Sequence, residues 1–527
     1  MSARFDGGGS RHGRKAGSND PRAPLPAPRT DTVMSLIRSH VVERPGHDAV
    51  DDGRVACTYL EVWTRAGRLA RRLAGQGVTT NTPVIVWGPR SSAFAVAMIA
   101  VLRAGAVVVP CAAATPAGRG AEILAATGAR HCVTVGDPPA WLQDVAGTVV
   151  DARGIATGRT DAPTGPLAAA GSDAWIFFTS GSTGTPKMVR GSHASLTGLV
   201  TWWQQAFQIT SGDRCAMTNH VGFVVTLRNL YAPLCAGATL CIAPESLLPD
   251  DSMAWLHHEE INVAQLTASV AEGWLGATAP GGAKPTLRWT IFAGEPLTDR
   301  TVRAWRAATR GTGRIANLWG STELGSSRSW YVVPDEPQPG VQPIGIARPG
   351  TQLLVLDERG EPCGVDTLGE IVVRATDLPA TADGPRPAGY EPDPFGRAGD
   401  VRYRSGDVGS IQADGSVLIA CRLESDLVGD GTSGEADDHG TPRRFDDLVK
   451  IDGVRVSPAE VEGVLTAHHA VRQAFVAAVG RGPHRRLGAV VVPNGAERLD
   501  PASLRRHCGE HLLPASIPSH IVVERAL

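Results

Sequence analysis

The stretch Phe178-Thr179-Ser180-Gly181-Ser182-Thr183-Gly184-Thr185-Pro186-Lys187 follows the strand-like run Ala174-Trp175-Ile176-Phe177. Glycines let backbone N–H groups approach an anion closely, and Ser/Thr hydroxyls add donors without bulk. Lys187 brings a mobile positive charge to the same place. The run therefore reads as a phosphate-binding loop at the end of a buried strand. It is not the P-loop of the NTPases, because Gly184-Thr185-Pro186-Lys187 lacks the contiguous Gly-Lys-Ser/Thr that opens a helix there.

Working outward, helical and strand-like segments alternate. Val33 to His40 and Tyr59 to Gln76 have helical spacing, Pro83 to Trp87 is a short β-rich run, and Ala93 to Ala104 is a helix ending at Gly105. Val107 to Pro110, Gly237 to Ile242 and Trp289 to Gly294 continue the pattern. Such repetition predicts an α/β fold with largely parallel, buried strands. Gly/Pro-rich turns from Pro334 to Pro349, then strands near 352–356 and 369–374, predict a β-rich subdomain. A compact α/β piece begins at Val449, with helices over Pro458 to Thr466 and Pro501 to Leu513 and strands over 474–479 and 488–492. The division expected is a disordered tail (1–30), a large core (31–422), a flexible acidic insertion with the hinge (423–445) and a small mobile C-terminal domain (446–527). Pro379 to Gly399 and Leu423 to Arg443 lack the apolar surface to offset ordering entropy, so both are expected to be exposed and mobile.

With 527 residues the chain is long enough for several domains, and its formal net charge of −2 gives no reason to expect nucleic acid or an anionic membrane as partner. Phosphate binding must then be local. The nine cysteines are single, without a C-x-x-C pair, which points to buried free thiols in a reducing cytoplasm. No signal peptide and no membrane-spanning apolar run is evident. A cytoplasmic location is expected.

The loop resembles the nucleotide loop of the adenylate-forming superfamily, which includes acyl-CoA and aryl-acid ligases, luciferases and the adenylation domains of nonribosomal peptide synthetases. Further motifs follow in the family's order, from about Asp31 to the chain's end. Leu318-Trp319-Gly320-Ser321-Thr322-Glu323 resembles its second nucleotide motif. The resemblance implies that Trp319 stacks on adenine, Thr322 reaches the α-phosphate and Glu323 holds Mg²⁺. A hard carboxylate oxygen suits that ion, which takes few protein ligands. Tyr403-Arg404-Ser405-Gly406-Asp407 resembles the third motif, whose aspartate accepts the ribose hydroxyls.

The fourth motif is split. Asp414 to Arg422 fits its left side and Asp446 to Gly453 its right, so either Arg422 or Arg444 answers to the nucleotide-binding arginine. Intact spacing to Asp446, which corresponds to the hinge residue, favours Arg444. Lys450 is the other lysine assigned to catalysis. The resemblance implies ATP and Mg²⁺ as cofactors and attack of a carboxylate on the α-phosphorus, giving acyl-AMP and pyrophosphate. A thiol then displaces AMP. Positioning and charge stabilisation carry such chemistry without a protein nucleophile. Thr179 to Lys187 would hold the leaving pyrophosphate.

The family's C-terminal lysine lies in a Pro-x-Thr-x-x-Gly-Lys segment, and this sequence ends where that segment should begin. Truncation is the simplest expectation. A lysine supplied by a partner to a split or degenerate module, or weak adenylation, are the alternatives.

By the same register the acid pocket is lined by Phe223, Val224, Val225, Arg228, Ser269, Ile291, Ala293, Leu318, Ser326 and Ser327, and His220 is either a gate like the histidine of aryl and acyl-CoA ligases or a satisfied loop histidine. Relatives specific for α-amino acids carry an aspartate where Val224 stands, so an acid without an α-ammonium is expected. Arg228 either meets a second acidic group on the substrate or faces outward or packs structurally, and the latter is favoured. The acceptor implied is the phosphopantetheine thiol of a separate carrier protein, the alternative being free CoA.

Overall fold

The computed structural model describes residues 19–21, 25, 30–143, 147–154, 168–179, 187–278, 282, 284–309, 313–379, 389–396, 400–422, 449–451, 454–456, 458–479, 486–494 and 499–524. Two sheets with parallel cores dominate. In the first, the strands 148–151, 131–134, 83–88, 107–112 and 173–179 run parallel, and Lys187–Ser192 closes the edge antiparallel to Asp173–Thr179. The second has nine strands, parallel from Arg314–Ser321 through 289–293, 263–266, 214–217 and 239–242 to 48–51, with antiparallel strands at both edges.

One apolar core contains residues of both sheets together with the helices Tyr59–Gly75, Ser92–Arg103, His193–Phe207 and Val225–Cys235. The sequence of Ser92–Arg103 explains its place: Phe94 to Leu102 is apolar all round, and all nine of these residues are buried. A helix without a polar face has to be enclosed. Tyr59–Gly75, opened by a capping box of Thr58 and Glu61, keeps one polar face instead.

An antiparallel sheet over 351–422 and a small unit of three strands with helices Pro458–Ala467 and Pro501–His511 complete the fold. The expected α/β core, β-rich subdomain and small C-terminal unit are all present. Seven of the nine cysteines are buried free thiols. Among the described residues no helix is long and apolar enough to cross a membrane.

Two expectations need correction. Part of the N-terminal tail is tied down: Asn19 bonds the backbone of Val355 and Cys363, and the Asp20 carbonyl accepts from Gln352. The segment Pro379 to Gly399 is not exposed throughout, because Asp393 is buried against Arg374 at 2.7 Å and Tyr390 packs on Tyr403. Composition hid both anchors, since each finds its partner on a distant strand.

His193 opens its helix completely buried, and neither ring nitrogen has a hydrogen-bond partner among the described residues. Burial pulls its pKa down to about 4. The folded state thus keeps this ring neutral while the unfolded chain protonates it near its ordinary value of about 6.5. Stability from this group is complete above that value and is lost as pH falls toward 4, a change of about 3 kcal/mol. His193→Phe should flatten the decline in urea midpoint between neutral and mildly acidic pH. An unchanged decline would assign acid sensitivity to other groups.

Candidate active site

The strands Arg314–Ser321 and Ser326–Val333 form a hairpin whose turn carries Thr322, Glu323 and Leu324. A register shift between Trp319 and Gly320 sharpens its end. Glycine is required at 320, where a Cβ would lie 2.1 Å from the Ser326 carbonyl oxygen. Ser326 itself has φ +107°, a conformation a non-glycine residue adopts at a cost, as is common where a backbone is shaped for a ligand.

This hairpin gathers the motifs. A Cβ on Gly325 would lie 3.5 Å from Trp175, which places the turn against the strand leading to Thr179. Thr179 and Lys187 are paired residues of the Asp173–Thr179 and Lys187–Ser192 strands, so they bracket the hydroxyl-rich loop. Thr179 Oγ1 is buried and has no partner among the described residues. An orphaned donor there fits an oxygen ligand such as phosphate. Ser180, Gly181, Ser182, Thr183, Gly184 and Thr185 lie outside the described residues, as do Arg444 and Asp446.

From the same hairpin the Trp319 indole N–H donates to Asp407 Oδ2 at 2.9 Å. The residues separately expected to meet adenine and ribose are therefore directly joined. Ser405 Oγ accepts from the Asp407 N–H at 3.0 Å and donates to the Ile371 carbonyl, fixing the backbone beneath the carboxylate. Arg422 stands directly opposite Asp407 in the neighbouring strand, which puts its backbone beside the pair. Lys450 lies in the strand Val449–Ile451, which pairs antiparallel with Val454–Val456.

The Tyr390 hydroxyl donates to the Glu323 carbonyl oxygen. Tyr390 was not among the expected site residues. The residues present fit a magnesium nucleotide: Glu323 would hold the ion, which when bound neutralises phosphate charge, and Lys187 would meet the same phosphates.

The expected pocket residues converge on the carboxyl ends of the parallel strands, where α/β sheets place their ligands. Ala293 pairs with Leu318, and the buried Ile291 lies in register between Gln265 and Ala316. Phe223 and Val224 precede the helix Val225–Cys235, with Val224 packed on the core. His220 packs against Phe223, and its Nδ1 accepts from the Gly222 N–H at 3.3 Å. Burial and then Arg90 hold its pKa below the ordinary value, although Glu245 acts the other way. Ser269 is less available than expected: its N–H and Oγ both donate to Glu295 at 2.8 Å.

Arg228 is enclosed by the fold. It is 1% exposed, donating to Gln265 Oε1 at 2.8 Å and to Ser327 Oγ. Of the readings left open for it, only the outward-facing one fails, because every residue of this helix from Thr226 to Cys235 is buried; packing within the fold and pairing with a substrate group both fit its position. Gln265 and Glu295 were missed; a polar residue inside the apolar run Val263-Ala264-Gln265-Leu266 was the available signal for the first.

AMP-binding enzymes, as a family, match residues 37–378. The chain belongs to this family. The enzyme is an adenylate-forming ligase. It is 29% identical to L-proline--[L-prolyl-carrier protein] ligase of Pseudomonas fluorescens, covering 92% of each chain. It is 30% identical to a dimodular nonribosomal peptide synthase of Bacillus subtilis, over 92% of this enzyme but only 20% of that protein. In fold it is similar to an artificially fused adenylation–PCP di-domain, NpsA-ThdA, from Klebsiella oxytoca, with a TM-score of 0.77, 22% identity and 94% coverage of both chains.

Proposed function

We propose that the enzyme activates a carboxylic acid lacking an α-ammonium group and loads it onto the phosphopantetheine thiol of a separate carrier protein. A carboxylate oxygen bonds to the α-phosphorus of ATP as the bond to pyrophosphate breaks. The carrier thiol, giving up its proton, then bonds to the acyl carbon as AMP leaves. Lys187 and Thr179 would meet the departing pyrophosphate, Thr322 the α-phosphate and Asp407 the ribose.

The observation that carries this reading is the Trp319–Asp407 hydrogen bond, which unites an aromatic face with a diol acceptor beside Glu323. A nucleoside needs both surfaces at once. Val224 supports the substrate class, because an apolar side chain at the start of the pocket helix cannot pair with an ammonium. The carrier acceptor rests on relatives whose names include a prolyl-carrier protein ligase.

Acid-dependent pyrophosphate exchange into ATP over a panel of acids tests the first half-reaction. Exchange with α-amino acids in preference to their deaminated analogues would overturn the substrate class. Mass spectrometry of holo-carrier proteins and of CoA after incubation tests the second. Thioester on CoA and on no carrier would replace the acceptor proposed here.

A further inference from the structure

Five arginines are buried among the described residues: Arg119, Arg228, Arg328, Arg348 and Arg374. Four of them hold a carboxylate. Arg119 meets Glu122 at 3.2 Å, Arg328 and Arg348 share Asp377, and Arg374 meets Asp393 at 2.7 Å. Arg228 meets none among the described residues, its partners Gln265 and Ser327 both being neutral.

Burial of an ionised group is tolerated when an opposite charge and full hydrogen bonding accompany it. Here burial alone acts on the guanidinium, drawing its pKa down to about 9, and no carboxylate opposes the shift. Its position adds to the imbalance. Arg228 lies in the first turn of the helix Val225–Cys235, whose N-terminal backbone dipoles already favour a negative charge. Gln265 and Ser327 engage Nε and Nη1, which orients the planar fork and leaves Nη2 with donors for a ligand. These partners sit on the same group of strands as the expected pocket residues: Gln265 pairs with Ile291, and Ser327 with Gly320. The guanidinium therefore lies beside the residues expected to line the acid pocket.

We propose that Arg228, oriented by Gln265 and Ser327, is a specificity residue that pairs with a second carboxylate on the substrate, so that the enzyme activates dicarboxylic acids. This rests on the adenylation reading above. One carboxylate reacts at phosphorus, while the other remains ionised against Arg228. A neutral acid of the same skeleton leaves the guanidinium buried and unpaired, which penalises it heavily.

Pyrophosphate exchange with matched acids decides it: butanoate against succinate, pentanoate against glutarate, benzoate against isophthalate. The favoured diacid should exceed its neutral partner by about 10²-fold in kcat/KM. Arg228→Met should reverse that order, whereas Arg228→Lys should keep it with a raised KM. Ser327→Ala, which retains the charge but loosens the fork, should raise KM for the diacid with little change in kcat. If Arg228→Met does not fold, the native ratio and Ser327→Ala decide the matter alone. Neutral acids used as well as diacids would overturn the assignment of Arg228 and leave the adenylation reading standing. Exchange absent with every acid at millimolar concentration would overturn the adenylation reading itself.

Discussion

Replacing Lys187 with alanine should slow acid-dependent pyrophosphate exchange by about 10²–10³-fold, the usual loss when one positioned donor to developing charge is removed. The enzyme has only four lysines, and Lys187 follows directly on the hydroxyl-rich loop. Its backbone is held in register against Thr179, so the ammonium starts from a fixed strand end. As the α–β phosphate bond breaks, negative charge grows on the leaving pyrophosphate, and a cation already in place stabilises it without reorganisation. The substitution should not unfold the protein: Met188 and Val189, which follow it, keep the strand packed against Phe177 and Phe178. Lys187→Arg retains charge but presents a planar fork where a point charge is wanted, so it should recover only part of the rate. Exchange by the alanine variant at the native rate, with unchanged thermal denaturation, would remove Lys187 from the phosphate site.

How much of this was legible in the sequence depends on whether a residue acts through its neighbours in the chain or across the fold. The loop ending in Lys187 and the enclosed helix Ser92–Arg103 are local patterns, and both could be read directly. Trp319 and Asp407 were each recognisable from a short motif. Their hydrogen bond was not, because 88 residues separate them and nothing in either motif announces the other. Arg228 shows a sharper limit. A lone cation in an apolar helix ordinarily marks a solvent face, but this helix is covered on every side and the charge is enclosed with it. Tyr390 and Asp393 were concealed by a composition that suggested disorder, since two well-placed anchors scarcely alter an average.

Replacing Asp377 with asparagine should destabilise the fold by about 3–5 kcal/mol, the cost of removing one partner from a buried ion group. Its carboxylate receives Arg328 and Arg348, the latter at 2.7 Å, and these two side chains are 1% and 3% exposed. Burial alone would raise the Asp377 pKa, yet the two guanidiniums together hold it below the ordinary value. The stability it contributes is present above the unfolded carboxylate pKa and is lost as pH falls through the depressed folded value. Asparagine keeps the shape but leaves two cations without an anion. Replacing Asp377, Arg328 and Arg348 together with apolar residues should recover much of the loss, because a buried ion group is expensive to break and far cheaper to replace whole. Urea denaturation of the single and triple variants separates these effects; a loss under about 1 kcal/mol in Asp377→Asn would mean that water already shares the charge. The site should register the change as well. Arg328 also donates through Nε to the Leu324 carbonyl at 2.6 Å, and Leu324 follows Glu323 in the turn. Under conditions where Asp377→Asn remains folded, its exchange should require more magnesium than the native enzyme, because the turn presenting Glu323 has lost the anion that positions its anchor.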